Sequence, residues 1–241
     1  MQRAPWVLIL WRAELVRGAL QTYFILRHGE TDHNAAGIIQ GSSDSSQLTA
    51  LGISQAQAAG AAMAALDVSI DRVFVSPLRR ARQTLETLTR AAEPALVLPT
   101  AQVVPALREV DLHSWEGQQK AKLKAEDPEM YAAWKAAPLD FAVDGQLPVV
   151  DLWDRCGAAW EEIRKGSNHG GTTLLVCHNA CGQALLSTAL GLDCTHFREH
   201  EFQNCGLLEL EWELRAKHAA RWRWRLPVQS EWHKRPIEPV A

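Results

Sequence analysis

Short apolar runs alternate with helical stretches along this chain, and each run ends where polar, chemistry-bearing residues begin. The first run, 22–26, leads straight into Arg27-His28-Gly29-Glu30. The second, 71–75, is β-branched and runs into Ser76-Pro77. The third, 172–177, is followed by His178-Asn179. Between them, residues 48–66 are Ala-rich, lack proline and carry helical spacing, with Thr49 as the expected N-cap. Ser76 followed by Pro77 predicts an N-cap and first helical position, opening a helix over 77–92. Strands alternating with helices predict a three-layer α/β/α sandwich with a mostly parallel, mixed sheet.

The remaining segments fit that frame. Residues 31–46 are polar and Gly/Ser-rich, a loop with at most one helical turn. A short strand is expected at 96–98, helices at 150–165 and 181–190, and late strands at 206–214 and 221–226. In the last of these Trp222, Trp224 and Leu226 alternate with Arg221, Arg223 and Arg225, the pattern of a half-buried hairpin partner. Residues 109–149 bring charges, prolines and scattered aromatics, so a helical cap insertion of about 110–150, mostly helix around 120–137, is expected over the active site. Residues 1–21 read as an N-terminal extension ahead of a single domain, 22–241.

Bulk properties exclude several classes of function. The net charge is −3 with no long basic block, which argues against nucleic acid. No stretch approaches the ~18 apolar residues that span a bilayer. Five cysteines, an odd number without CxxC spacing, suit reduced thiols in a cytosol-like compartment. A cytoplasmic location is therefore expected, or an organelle stroma if the N-terminus is a transit segment. A homodimer is left open.

Four constellations carry chemistry. Arg27-His28-Gly29-Glu30 sits at a strand end, where open α/β sheets bind ligands, with Asn34 and Gln40-Gly41 following. Arginine offers a bidentate fork for phosphate, glycine a close backbone approach and histidine a nucleophile. Taken alone, His28 would more often be read as a hydrogen-bonded core histidine. The second constellation begins at Ser76 and carries Arg79, Arg80 and Arg82, which cannot share one helical face, so at most one or two point at a ligand. The third is Glu109, after an apolar stretch, with Trp115-Glu116-Gly117 downstream. Burial would raise its pKa and let it donate a proton, whereas a surface carboxylate would simply pair with Arg108. The fourth is His178. His196 and His200 stand at i and i+4 but lack a third ligand, and no carboxylate cluster suggests Mg²⁺, so no metal is assigned.

In this combination and order the four pieces resemble the histidine phosphatase superfamily, which includes the cofactor-dependent phosphoglycerate mutases. The resemblance covers residues 22–210. It implies a metal-independent phosphomonoesterase that needs no cofactor and acts on a small phosphorylated metabolite. It implies that His28 becomes phosphorylated, that Arg27, Arg80 and His178 hold the phosphate, and that Asn34 and Gln40 add hydrogen bonds. Glu109 would protonate the leaving oxygen and then activate water. Gly41, Trp115 and Asn179 are expected at the substrate. His113-Ser114 ahead of Trp115, and Asn179-Ala180 where the family often has Gly-Gly, depart from the pattern. Asn179, with Gln183 and the later Gln203-Asn204-Cys205-Gly206, looks most like a cyanobacterial and plant branch that includes 2-carboxyarabinitol 1-phosphatases. Mutase-type transfer and a non-catalytic phosphate-binding protein are the alternatives.

Overall fold

The computed structural model describes residues 20–165, 170–214, 216–226 and 233–234. Its first strand, β1 (Leu20–Arg27), begins two residues earlier than the apolar run suggested, and the rest of the expected N-terminal extension lies outside the described residues. Tyr23, Phe24, Ile25 and Leu26 are each fully buried, so β1 needs cover on both faces. Burying one such side chain is worth roughly 1.5–3 kcal/mol. The core therefore outweighs surface pairs such as Glu86–Arg90, both of which are well exposed.

After β1 come a single-turn helix α1 (Asp32–Ala35), α2 (Ala50–Ala64), β2 (Arg72–Val75), α3 (Arg79–Ala92) and a two-residue strand β3 (Gln102–Val103). Next are α4 (Lys120–Glu126), α5 (Pro128–Ala136), α6 (Pro148–Arg164), β4 (Gly171–Cys177) and α7 (Asn179–Leu190). The chain closes with β5 (Leu207–Glu213), β6 (Arg221–Leu226) and β7 (His233–Lys234). The sheet order is β3-β2-β4-β1-β5-β6-β7. Strands β1 to β4 are parallel, and β5, β6 and β7 follow as antiparallel neighbours. Tyr23 and Ile25 face a core shared with Trp160 of α6 and Leu185 of α7. Phe24 and Leu26 face another, shared with Met63 of α2 and Leu88 of α3. These are the three layers.

Three local expectations are corrected. Residues 96–98 form no strand: Leu96 turns into the core, its N–H bonded to Ala92, and Pro99 cannot donate to a ladder. The third strand lies instead at Gln102–Val103, beside Phe74 and Val75. Ser76 does not cap α3. Its hydroxyl is engaged by His178, the N-cap is Leu78, and the carboxylate of Asp44 takes the Arg79 N–H. The helix expected around 120–137 is two, because Asp127 ends α4 and caps α5 through Met130, with Pro128 at the first position. Thr49 does cap α2, accepting from Gly52. The hairpin β5–β6 sets Arg221 against Glu211 at 2.7 Å, and Arg223 and Arg225 against Glu209 at 2.7 and 2.6 Å.

Candidate active site

The pocket opens where the parallel strands end. A cavity of about 350 Å³ is lined by Arg27 at the end of β1 and His28 after it, Arg80 of α3, Glu109 after β3, and residues of α4 and α5. Strand ends collect such groups because neighbouring parallel strands deliver their loops to the same edge.

His28 is 3% exposed and lines this cavity. Its backbone is stapled on both sides: the N–H donates to Cys177, and the carbonyl accepts from the Cys205 N–H and Asn204 Nδ2. Nδ1 lies 2.7 Å from the Gly29 carbonyl, which only an N–H can satisfy. The free lone pair is therefore on Nε2. Burial, reinforced by the Arg27 and Arg80 guanidiniums, holds this imidazole well below the usual histidine range. It is neutral at pH 7 and available as a nucleophile.

Arg80 is 1% exposed, while its neighbours Arg79 and Arg82 face solvent, as helical geometry requires. Its Nε donates to His178 Nδ1 at 3.2 Å. Its two terminal nitrogens donate to the carbonyls of Ser43 and Gly41, each at 2.7 Å. Of the five guanidinium N–H groups two remain for a ligand. Burial brings its pKa down to about 10, so it stays charged. Arg27 donates to the Phe202 carbonyl at 2.7 Å, and its buried Nε has no partner.

His178 is fully buried and does not line the cavity; it stands behind Arg80, its ring 5.1 Å from that of His28. Nδ1 accepts from Arg80, so Nε2 carries the hydrogen that meets Ser76 Oγ at 2.7 Å. Burial, then Arg80, keeps it neutral.

Glu109 does not pair with Arg108. Its Oε1 accepts from the backbone N–H of Val110 and Cys181, both at 3.0 Å, and Oε2 from that of Ala180 at 3.1 Å. The start of α7 thus holds a carboxylate of the protein itself. Oε1 is fully used, which leaves Oε2 to carry a transferable proton. Burial pushes this carboxyl above the usual range, against the pull of those three donors.

The smaller residues divide by place. Asn34, Gln40, Gly41 and Asn179 line the cavity. The amide oxygens of the three side chains are already occupied: Asn34 Oδ1 by Thr31 and Asn204, Gln40 Oε1 by Ser46, and Asn179 Oδ1 by Gln183 and Phe202. Each has an amide nitrogen to offer. Gly41 sits at φ +51 with its missing Cβ directed at the Glu116 side chain, a position only glycine fills without strain. Gly29 makes room for a helix, not for phosphate: a Cβ there would lie 2.5 Å from the Gly52 carbonyl of α2. Trp115 does not line the pocket either. It is 4% exposed and stacks behind Tyr131, while Trp134 lines the cavity instead. His196 ends a 3₁₀ turn beside Asp193, and His200 packs on Trp222, so they share no helical face. All five cysteines are free thiols.

Sequence reasoning read Ser76 only as a cap and gave no role of its own to Thr84, which orders the loop by accepting the Gly29 N–H at 3.0 Å. It took Asn204 as a branch marker without its bond to the His28 carbonyl, and it passed over Arg155. Arg155 of α6 donates to the carbonyls of Ala106 and Arg108, each at 2.7 Å, and of Glu109 at 3.0 Å. Nothing in the local sequence marks Arg155, because its partners are backbone atoms about 46–49 residues away.

A neutral buried histidine shares one cavity with two guanidiniums and a buried carboxyl group, at the strand ends of an α/β sandwich, which is the equipment of a phosphate-binding site. The chain belongs to the histidine phosphatase superfamily (branch 1), whose family model matches residues 23–225. It is 40% identical over 187 residues to 2-carboxy-D-arabinitol-1-phosphatase of Triticum aestivum, covering 78% of this chain and 36% of that protein. It is 33% identical over 198 residues to "Probable phosphoglycerate mutase GpmB" of Proteus mirabilis, covering 80% of this chain and 86% of that one. Among solved structures, mycobacterial glucosyl-3-phosphoglycerate phosphatase superposes with a TM-score of 0.69 at 25% identity, over 86% of this chain and 97% of that one. The chain spans little more than a third of the plant relatives it matches.

Proposed function

We propose that this protein is a phosphomonoesterase that hydrolyses a small phosphorylated metabolite through a phosphohistidine at His28. The observation that carries this reading is the bond from His28 Nδ1 to the Gly29 carbonyl, 2.7 Å, which leaves Nε2 as the lone-pair nitrogen of a neutral imidazole in the pocket.

The ester's phosphate carries close to two negative charges. Arg27, with an orphaned buried Nε, and Arg80, with two unused N–H groups, neutralise its equatorial oxygens. His28 Nε2 attacks phosphorus in line, forming a P–N bond as the P–O bond to the alkoxide breaks. Glu109 Oε2 gives its proton to the departing oxygen. The resulting carboxylate then takes a proton from water, which attacks phosphorus, breaks the P–N bond and releases inorganic phosphate. Neither step calls on a metal ion, since the guanidiniums supply the positive charge.

Mutase-type transfer is the second reading, favoured by the similarity to the Proteus mirabilis relative. The two part at the fate of the phosphoryl group, to water or to a second hydroxyl. The test is turnover of p-nitrophenyl phosphate by the intact protein, with and without EDTA, and by His28→Ala. Phosphate release that survives EDTA and vanishes in H28A is expected. Activity retained in H28A would overturn the assignment, and an isomerised phosphoester from 3-phosphoglycerate without phosphate release would favour the mutase.

A further inference from the structure

Trp115-Glu116-Gly117 is a motif to which the phosphoryl-transfer steps give no role. Glu116 does not line the cavity. The residue is half-buried, and its Oε1 accepts from the Ser42 N–H at 2.6 Å, the Ser42 hydroxyl at 3.1 Å and the Leu112 N–H at 3.0 Å. Three donors on one oxygen fasten the loop after α1 to the segment after β3. Gly117, at φ +79, donates its N–H to the Ile39 carbonyl, and Ile39 donates to Gln118, so the same seam is zipped alongside.

Ser42 stands between the two residues that hold Arg80. The carbonyls of Gly41 and Ser43 each accept a terminal guanidinium nitrogen at 2.7 Å. The Gly41 carbonyl and the Ser42 N–H belong to one peptide group. Arg80 therefore meets the oxygen end of that peptide and Glu116 the hydrogen end. Each bond polarises the peptide in the sense that strengthens the other. A Cβ on Gly41 would collide with the Glu116 side chain, so the carboxylate closes on this loop only over a glycine. Arg80 is also a buried charge, and among the described residues no carboxylate pairs with it directly. A buried charge without a counter-charge is costly. Burial draws its pKa down to about 10, opposed in turn by Glu109, Asp44 and Glu116. Glu109 enters the proposed reaction protonated, and the carboxylate of Asp44 takes the Arg79 N–H. Glu116 balances Arg80 through a peptide, and the two guanidinium N–H groups that the protein does not use stay free for phosphate.

We propose that Glu116 is a positioning residue for the phosphate clamp: it sets Arg80 through the Gly41–Ser42 peptide and so fixes the affinity of the pocket for a phosphate-like anion. The proposal rests on the reading of Arg80 as a phosphate ligand. It gives the Trp-Glu-Gly motif one purpose, with Trp115 packed beneath Tyr131, Glu116 on the Arg80 loop and Gly117 closing the seam at Ile39.

Calorimetric binding of orthovanadate, with no turnover required, tests it in a double-mutant cycle. Glu116→Ala should weaken the Kd by about tenfold or more. Glu116→Gln keeps an acceptor oxygen for Ser42 and should return the Kd to within about threefold of the intact protein. Arg80→Lys keeps a charge but loses the fork that grips Gly41 and Ser43. If Glu116 acts through Arg80, adding E116A to R80K should change the Kd by less than about twofold. Should E116A fold poorly, Glu116→Asp replaces it in the cycle with the same expected outcomes, since its carboxylate is one methylene too short for Ser42. A Kd unchanged in E116A, or losses from E116A and R80K that simply add, overturns the positioning role. A merely structural residue would give additive losses with a lowered Tm. Failure of the intact protein to bind vanadate defeats the phosphate-site reading, whereas binding that is indifferent to Glu116 defeats only the positioning role.

Discussion

Arg80 and His178 share a buried hydrogen bond, Nε to Nδ1 at 3.2 Å, and it fixes the state of both. The histidine must present a lone pair to Arg80, so its hydrogen sits on Nε2 and meets Ser76. The second histidine therefore acts, in this conformation, as a rigid prop for the arginine. Ser76→Ala should strand the Nε2–H in a dry site, a cost of about 1–3 kcal/mol. A lowered Tm with a lowered kcat on p-nitrophenyl phosphate is expected. An unchanged kcat would mean that the prop does not act on the phosphate site.

The pH dependence of kcat/KM should be a bell displaced to the acid side. His28 must be neutral, and its pKa is depressed by burial and two arginines, so the acid limb falls below about 6.5. Glu109 must be protonated, and its pKa is raised by burial, so activity declines as pH rises through that raised value. Glu109→Gln should abolish the alkaline limb and slow esters with poor leaving groups more than p-nitrophenyl phosphate. Equal losses on both would contradict the acid role.

Stability should fall on the acid side for the same reason. His28 and His178 are neutral when folded and take up protons on unfolding once pH drops below about 6.5. Each therefore contributes stability above that pH which is lost as pH falls towards the folded value, by up to about 1.4 kcal/mol per pH unit. Chemical denaturation between pH 7 and 5 measures the slope. His178→Gln should reduce it by nearly one proton, whereas a slope unchanged in H178Q would mean the imidazole is charged when folded.

Arg155 offers a test of positioning at a distance from the ligand. It clamps the carbonyls of Ala106, Arg108 and Glu109, in the segment that delivers Glu109. Arg155→Met should lower kcat with little change in KM and move the alkaline limb of the pH profile, with Arg155→Lys recovering part of the loss. A drop in Tm alone, with an unmoved pH profile, would reduce Arg155 to a structural role.

Much of this was legible in the sequence, for a physical reason. The buried run of β1 and the helical spacing of α2 and α3 are local patterns, and the strand ends they define already hold His28, Arg80 and His178. Less legible was whatever depends on partners far along the chain. Ser76 looks like a cap but is drawn to His178, 102 residues away. Gly29 looks like a phosphate glycine but yields to Gly52 of α2. Trp115 is near Glu109 in sequence, yet it is buried against Tyr131 of α5, and Tyr131 and Trp134 reach the pocket instead.

The central claim is a phosphoryl group on His28, and a rapid-quench reaction with ³²P-labelled substrate tests it most directly. The account predicts an acid-labile, base-stable phosphoprotein whose label maps to His28 and is absent from His28→Ala. Turnover with no trapped label, or label on any other residue, would contradict it.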